Sequence, residues 1–420
     1  MRVVWITNGP IGKQNQLLDS ISVSGSWIEA SLEILHGVQS IELFVVTTWQ
    51  VKQEKNLVDG NITYTILPGQ YPSKVKVSKN TSRRIWIEYV KRVKPDLIHI
   101  HGTEYLHGLA LVKSFPEMKY LVSLQGLRGI IGRYYFAGLS SSEILRTITL
   151  YDIITGKSII RSRKKFLNHL SYDSEYLNRI ENVIGRTTWD YVHAKRLNNA
   201  VKYYTCERNL RSVFYKTHWS LERIKRHTLF ISQSDYPIKG LHIVLKSLCL
   251  LRDEFKDIKL FIAGRDFISL PKSFGSFKLS GYAKYITKFI RSKSLQNNVH
   301  FTGILNDVQM AEYYRDSHIF ICPSSIENES ISLSEAQLIG TPCISSFVGG
   351  LPDTTHYGEA GLLYRFEEYE MLAHYIRFIF ENDDYAITLS NREKRIAMQR
   401  HDRKVNMNNL LKIYEDILAR

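Results

Sequence analysis

Cysteine is scarce: four residues in 420, Cys206, Cys249, Cys322 and Cys343, lie far apart with no C-x-x-C pair. That excludes a disulfide framework and a cysteine-based zinc site, and a reducing cytoplasm is the expected compartment. No apolar run approaches the roughly 20 residues that cross a bilayer. The start, MRVVWITNGPIGK, carries no signal-peptide cleavage pattern. G-x-G-x-x-G and the P-loop are both absent, which argues against a dinucleotide oxidoreductase. Zinc-finger spacing, RNP-type strands and bZIP heptads are missing too, so no nucleic-acid motif accompanies the basic charge.

What is present is a large apolar inventory and a positive balance. Hydrophobic residues make up 44% and aromatics 12%, enough for a sizeable core and too much for general disorder. Lys and Arg number 56 against 41 Asp and Glu, a formal +15. Residues 1–215 hold 29 and 17 of these and 216–420 hold 27 and 24, so the excess falls in the first half. Short apolar runs alternate with helical periodicity: RVVWIT at 2–7, IELFVVT at 41–47, DLIHIH at 96–101 and YLVSL at 120–124, then LFIS at 229–232, KLFIA at 259–263, IFIC at 319–322 and CISS at 343–345. Helices are expected at 27–35, 82–93, 141–149, 177–183, 239–252, 282–292, 307–316 and 334–339. Two such βα series imply two doubly wound, Rossmann-like α/β domains of parallel sheet facing a cleft, 1–218 and 219–400. A helix at about 401–420 is expected to pack back on the first.

In sheets of this kind ligands bind beyond the carboxyl ends of the strands, where the distinctive residues fall. SIENESISLSEAQLIGTP (325–342) places Glu327 in the loop after one strand and Glu335 eight residues on, in the following helix. Two such carboxylates can accept two hydroxyls of one ligand. Asn328, Ser330, Ile331 and Ser332 bring backbone N–H groups to the helix N-terminus. Spacing alone also fits a solvated loop charge and a first-turn helix charge. Lys239-Gly240 stands at a strand-to-helix junction, where a cation can reach a phosphate; taken alone, the pair reads first as an ordinary surface lysine beside a loop glycine. Gly25-Ser26 opens another helix. His99 and His101 share one face of a strand, His99 as a buried, hydrogen-bonded residue and His101 at the cleft end.

Pro323-Ser324, Glu327, Glu335-Ala336, Gly340-Thr341-Pro342 and Gly349-Gly350-Leu351-Pro352-Asp353 together resemble the retaining family 4 glycosyltransferases of GT-B fold, in the bacterial surface-polysaccharide branch. The resemblance implies transfer of a sugar from a nucleotide-sugar donor to a glycan hydroxyl, in polysaccharide (capsule or lipopolysaccharide) biosynthesis. It gives Glu327 the donor sugar, Glu335 the ribose, and Lys239, Gly240, Gly25 and Ser26 the diphosphate. The family's arginine a few residues before the lysine is missing here. Gln125 stands where many members have a histidine, so it can orient a sugar but takes up no proton. Together with His101 and Glu327 it forms the expected catalytic group. Arg128, Arg186 and Asp190 are assigned to the acceptor side, with structural salt bridges the other reading of the last two. D-x-D occurs nowhere, so no obligatory metal or other cofactor is expected. A sugar-nucleotide epimerase on the same fold and a basic nucleic-acid-binding module are the alternatives. The charge, including Arg161, Arg163, Lys164 and Lys165, is expected to meet an anionic membrane at the inner face and a lipid-diphosphate-linked acceptor rather than nucleic acid.

Overall fold

Valine, isoleucine and leucine runs with no polar alternation belong to strands covered on both faces, and they build two separate sheets. The structure, a computed structural model, describes residues 1–18, 26–72, 80–266 and 280–420. The first sheet comprises β1 (Arg2–Ile6), β2 (Glu42–Trp49), β3 (Lys55–Asp59), β4 (Ile62–Pro68), β5 (Leu97–His101), β6 (Tyr120–Ser123), β7 (Asn182–Gly185) and β8 (Lys202–Thr205). Its order is β3-β4-β2-β1-β5-β6-β7-β8, parallel except for the β3–β4 hairpin. The second comprises β9 (Lys225–Ile231), β10 (Lys259–Ala263), β11 (Val299–Gly303), β12 (Ser317–Cys322), β13 (Cys343–Ser346) and β14 (Leu362–Tyr364). Its order is β11-β10-β9-β12-β13-β14, parallel throughout.

Two compact units form around these sheets, and their membership departs from a boundary at 218. One unit is 1–128, 169–211 and 401–420; the other is 129–168 and 212–400. The C-terminal helix Arg403–Leu418 thus lies in the first unit, where Trp5 Nε1 donates to the buried Tyr414 hydroxyl at 2.8 Å. Residues 129–168 belong to the second unit instead of the first. Asp152 Oδ2 accepts from Gly281 N at 2.8 Å, and His242 holds the Ala137 carbonyl at 2.8 Å. The Thr147 carbonyl approaches Gly281 so closely that a Cβ there would sit 1.2 Å from its oxygen. This transfer redistributes the charge. The first unit has 26 Lys and Arg against 18 Asp and Glu, a net +8, and the second has 30 against 23, a net +7. The positive excess does not mark one unit.

Residues 182–185, partly inside an expected helix over 177–183, form strand β7, and the helix there is Leu170–Arg179. The expected helix over 141–149 is two short ones, Ser141–Arg146 and Leu150–Thr155. Among the described residues no helix is long and apolar enough to cross a membrane.

Candidate active site

The strand order of the second unit reverses between β9 and β12, which are hydrogen-bonded neighbours. A crevice opens at such a switch point because successive crossovers leave in opposite directions. The chain leaves β9 through a 3-10 turn, Pro237–Lys239, and Gly240 at φ +70° starts the helix Leu241–Leu251. It leaves β12 through residues 323–330 into the helix Ile331–Ile339, whose N-cap Ser330 accepts from Leu333 N. These exits bring together two residues 88 apart in sequence: Lys239 Nζ donates to Glu327 Oε1 at 2.6 Å. Ser324 Oγ donates to the same oxygen at 2.7 Å. The backbone fastens both loops, with Ser325 N bonded to Ile238 O at 2.8 Å and Gly350 N to Glu327 O at 3.0 Å. A Cβ on Gly240 would lie 1.7 Å from the Pro323 oxygen, so the Lys-Gly pair is set by the approach of the Glu327 loop.

Burial works against the Lys239 ammonium, but the Glu327 carboxylate outweighs it and keeps the lysine above its ordinary pKa. The cation is therefore charged at neutral pH. Burial, with the Glu327 charge, pushes the Cys322 thiol up to about 11, so that residue is no nucleophile. The capped helix begins at Ile331, a turn earlier than expected. Ser330 is its cap, Ile331 and Ser332 are its first residues, and Asn328 is buried in the loop before them. Glu335 therefore lies beyond the first turn, buried, where the Tyr314 hydroxyl donates to its Oε2 at 3.4 Å. A first-turn role for that charge is excluded by position.

In the first unit the order reverses between β1 and β5. Gly25 lies outside the described residues, and Ser26 is the first residue of the helix Ser26–Leu35. His99 is buried between the Tyr414 and Ser123 hydroxyls, at 2.6 and 2.7 Å. His101 is not the open residue expected at the strand end. It is equally buried, 4.6 Å from the Trp5 ring and 5.4 Å from the Trp27 ring. Burial first, then His99, Arg186 and Arg208, hold its pKa well below the usual imidazole value, so it is neutral. Gln125 Nε2 donates to the His101 carbonyl at 3.0 Å, which fixes the Gln125 amide beside β5.

The residue that sequence reading missed at this switch point is Glu104, two residues past the glycine that follows β5. Asn8, just past β1, donates to its Oε2 at 3.0 Å, and Arg128 donates to its carbonyl at 3.1 Å. Burial pushes the Glu104 carboxyl up to about 7; Asp173 adds to this, and Asn8 and Arg128 oppose it. A carboxyl raised from 4.5 to about 7 binds its proton more tightly in the folded chain. Its stabilising contribution is complete below the unfolded value and is lost as pH rises through that window, ~3 kcal/mol in all. Glu104→Gln is expected to raise the melting temperature at pH 8 and leave it nearly unchanged at pH 4.5. A parallel shift at both pH values in a thermal melt series would contradict this.

Arg186 and Asp190 are structural where the described bonds reach. Asp190 is fully buried; its Oδ2 accepts from Arg186 N at 3.0 Å, and Arg186 donates to the Leu124 carbonyl. Asp190 therefore helps to shape the β7 exit. Arg208, over the Trp27 ring at 4.8 Å, is a further cation at this edge that no motif announced. Among the described residues no three His, Cys, Asp or Glu side chains are grouped to hold a metal.

The β9–β14 unit, with its Lys-Gly turn and capped Glu327 loop, lies within the stretch 218–402 that matches the family model "Glycosyl transferases group 1". Residues 218–402 thus resemble group 1 glycosyltransferases. The chain is also similar to curated relatives over part of its length. It is 26% identical over 148 residues to a D-inositol 3-phosphate glycosyltransferase of Streptomyces coelicolor, covering 35% of this chain and 31% of that one. It is 25% identical over 202 residues to a phosphatidyl-myo-inositol mannosyltransferase of Mycobacterium leprae, covering 46% and 48%. The matches thus span about a third to a half of those relatives. The whole chain has the GT-B fold. It superposes on sucrose-phosphate synthase from Thermosynechococcus elongatus with a TM-score of 0.72 at 15% identity, covering 100% and 99% of the two chains. Anabaena HepE in complex with UDP-glucose gives 0.65 at 15%, covering 99% and 100%. The matched stretch contains the Lys239–Glu327 pair at the switch point of its sheet.

Proposed function

We propose that this protein transfers a sugar from a nucleotide-sugar donor to a hydroxyl of a glycan acceptor carried on a lipid diphosphate, with retention of configuration, in bacterial surface-polysaccharide synthesis. The observation that carries the reading is the Lys239–Glu327 contact in the stretch that resembles group 1 glycosyltransferases. A charged, part-buried lysine beside a helix start suits a diphosphate, and a carboxylate pinned by Ser324 suits sugar hydroxyls. In the step itself the bond from the anomeric carbon to the diphosphate oxygen breaks and the acceptor oxygen bonds to that carbon from the same face. The acceptor proton passes to the departing diphosphate, and negative charge grows on that group as it leaves. Lys239 and the N–H groups of Ile331 and Ser332 stabilise this charge in a water-poor pocket. Glu335 is assigned the ribose.

Lys239→Met is expected to weaken binding of the nucleotide diphosphate about 10- to 100-fold, since it removes one charge-assisted bond. Calorimetry with UDP, GDP and ADP on the full chain checks this and identifies the base. Unchanged affinity for whichever nucleotide binds would remove Lys239 from the phosphate site. Turnover that survives a chelator supports metal independence, and turnover lost to it and restored by a divalent ion overturns that part.

A further inference from the structure

We infer that the excursion 129–168 carries a docking surface for an anionic lipid bilayer. Its short helices turn a cluster of aliphatic side chains into water: Leu145 is 67% exposed, Leu150 75%, Ile153 62%, Ile154 83% and Ile160 45%. Isolated exposed aliphatic residues are ordinary, whereas five within sixteen residues call for a partner. The excursion's own exposed charges have one sign. Arg146, Lys157, Arg161, Lys164 and Lys165 are exposed. The excursion's two acids are engaged within the unit: Glu143 accepts from the Tyr285 hydroxyl at 2.7 Å and pairs with Lys246 at 3.6 Å, and Asp152 is buried against Gly281 N.

Exposed aliphatic tips interspersed with exposed cations match a bilayer interface, where the tips enter the acyl boundary and the cations meet anionic headgroups. A protein partner would favour aromatics and few lysines at such a centre, and nucleic acid stacks on aromatics in place of branched aliphatics. The platform is fastened to the donor crevice: Ser325 Oγ, two residues before Glu327, donates to the Tyr134 carbonyl at 3.1 Å. A docked platform therefore holds the Glu327 loop at a set height above the lipid headgroups. The membrane is one that a lipid-linked acceptor occupies, so the purpose of the surface rests on the proposed function. Its existence is tested without donor or acceptor.

The full chain is co-sedimented with phosphatidylcholine vesicles, with and without about one-third phosphatidylglycerol. Binding to the anionic vesicles is expected to be at least ~10-fold stronger and to fall with salt. Ile153→Asp with Ile154→Asp, and separately Lys164→Glu with Lys165→Glu, are each expected to reduce it ~10-fold or more, with nucleotide binding by calorimetry unchanged. Equal binding to both vesicle types overturns the proposal, as does binding that neither double variant weakens. Loss of a dimer in light scattering by the Ile153/Ile154 variant, with vesicle binding intact, assigns the patch to a second copy and also overturns it. Vesicle binding without any sugar transfer upholds the surface and counts against the function alone.

Discussion

Glu327→Gln is expected to lower sugar transfer about 100- to 1,000-fold while the protein stays folded, the scale for losing one preorganised electrostatic contact at a reacting centre. The amide keeps the shape of the side chain and can still accept from Ser324, but it carries no charge for Lys239 or for the sugar. A purely structural pair predicts something different. Breaking one partner of a part-buried ion pair destabilises, whereas replacing both with neutral groups of similar size is often harmless. The double variant Glu327→Gln with Lys239→Met is therefore expected to recover the melting temperature of the parent and none of its transfer activity. Recovery of both would demote the pair to a packing device. Thermal melting and turnover with the donor found by calorimetry read the two quantities separately.

Gly240→Ala is expected to cost about 2–4 kcal/mol of stability and most donor binding. Two independent penalties meet at this position. An alanine at φ +70° pays roughly 1 kcal/mol of backbone strain. Its Cβ would also stand 1.7 Å from the Pro323 oxygen, so the loop carrying Glu327 has to retreat, at about 1–3 kcal/mol. That retreat opens the Lys239–Glu327 contact directly. Gly9→Ala is the control, because nothing lies within 4 Å of a Cβ there, and it should melt within about 0.5 kcal/mol of the parent. Equal melting of the Gly240 and Gly9 variants would show that the two loops yield freely.

The two βα series and the site of the second unit were legible because their signals are local. Apolar runs flanked by helical periodicity name the strands, and a strand-end loop followed by a helix names the crevice. Strand β7 was hidden because Leu177, Ile180, Val183 and Ile184 recur at helical spacing, although Asn182–Gly185 is strand between β6 and β8. Strand β8 reads KYYT, with no apolar run to announce a strand that is only partly buried at the sheet edge. The hairpin β3–β4 carries a local signal of its own, Asp59-Gly60 between two alternating runs. The placement of 129–168 has no local signature. It is decided by the contacts of Thr147, Asp152 and Ala137 with residues more than a hundred positions away. Likewise His101, which its strand position alone suggested was open, is closed over by Trp5 and Trp27 from other elements.

The helix Arg403–Leu418 has a consequence for how the protein is made. It supplies Met407, Leu410, Ile413, Tyr414 and Ile417 to the same buried cluster as Val3 and Trp5 of β1. At about 2 kcal/mol for each side chain removed from water, these five are worth ~10 kcal/mol at most, comparable to the whole net stability of a typical domain. Ribosomes add roughly 5–20 residues per second. The first strand to emerge therefore waits some 20 to 80 seconds for Tyr414, 409 positions later, before its core can close. During that interval the nascent sheet exposes the apolar face that this helix later covers. A fragment ending near residue 400 is therefore expected to collect in the insoluble fraction when expressed.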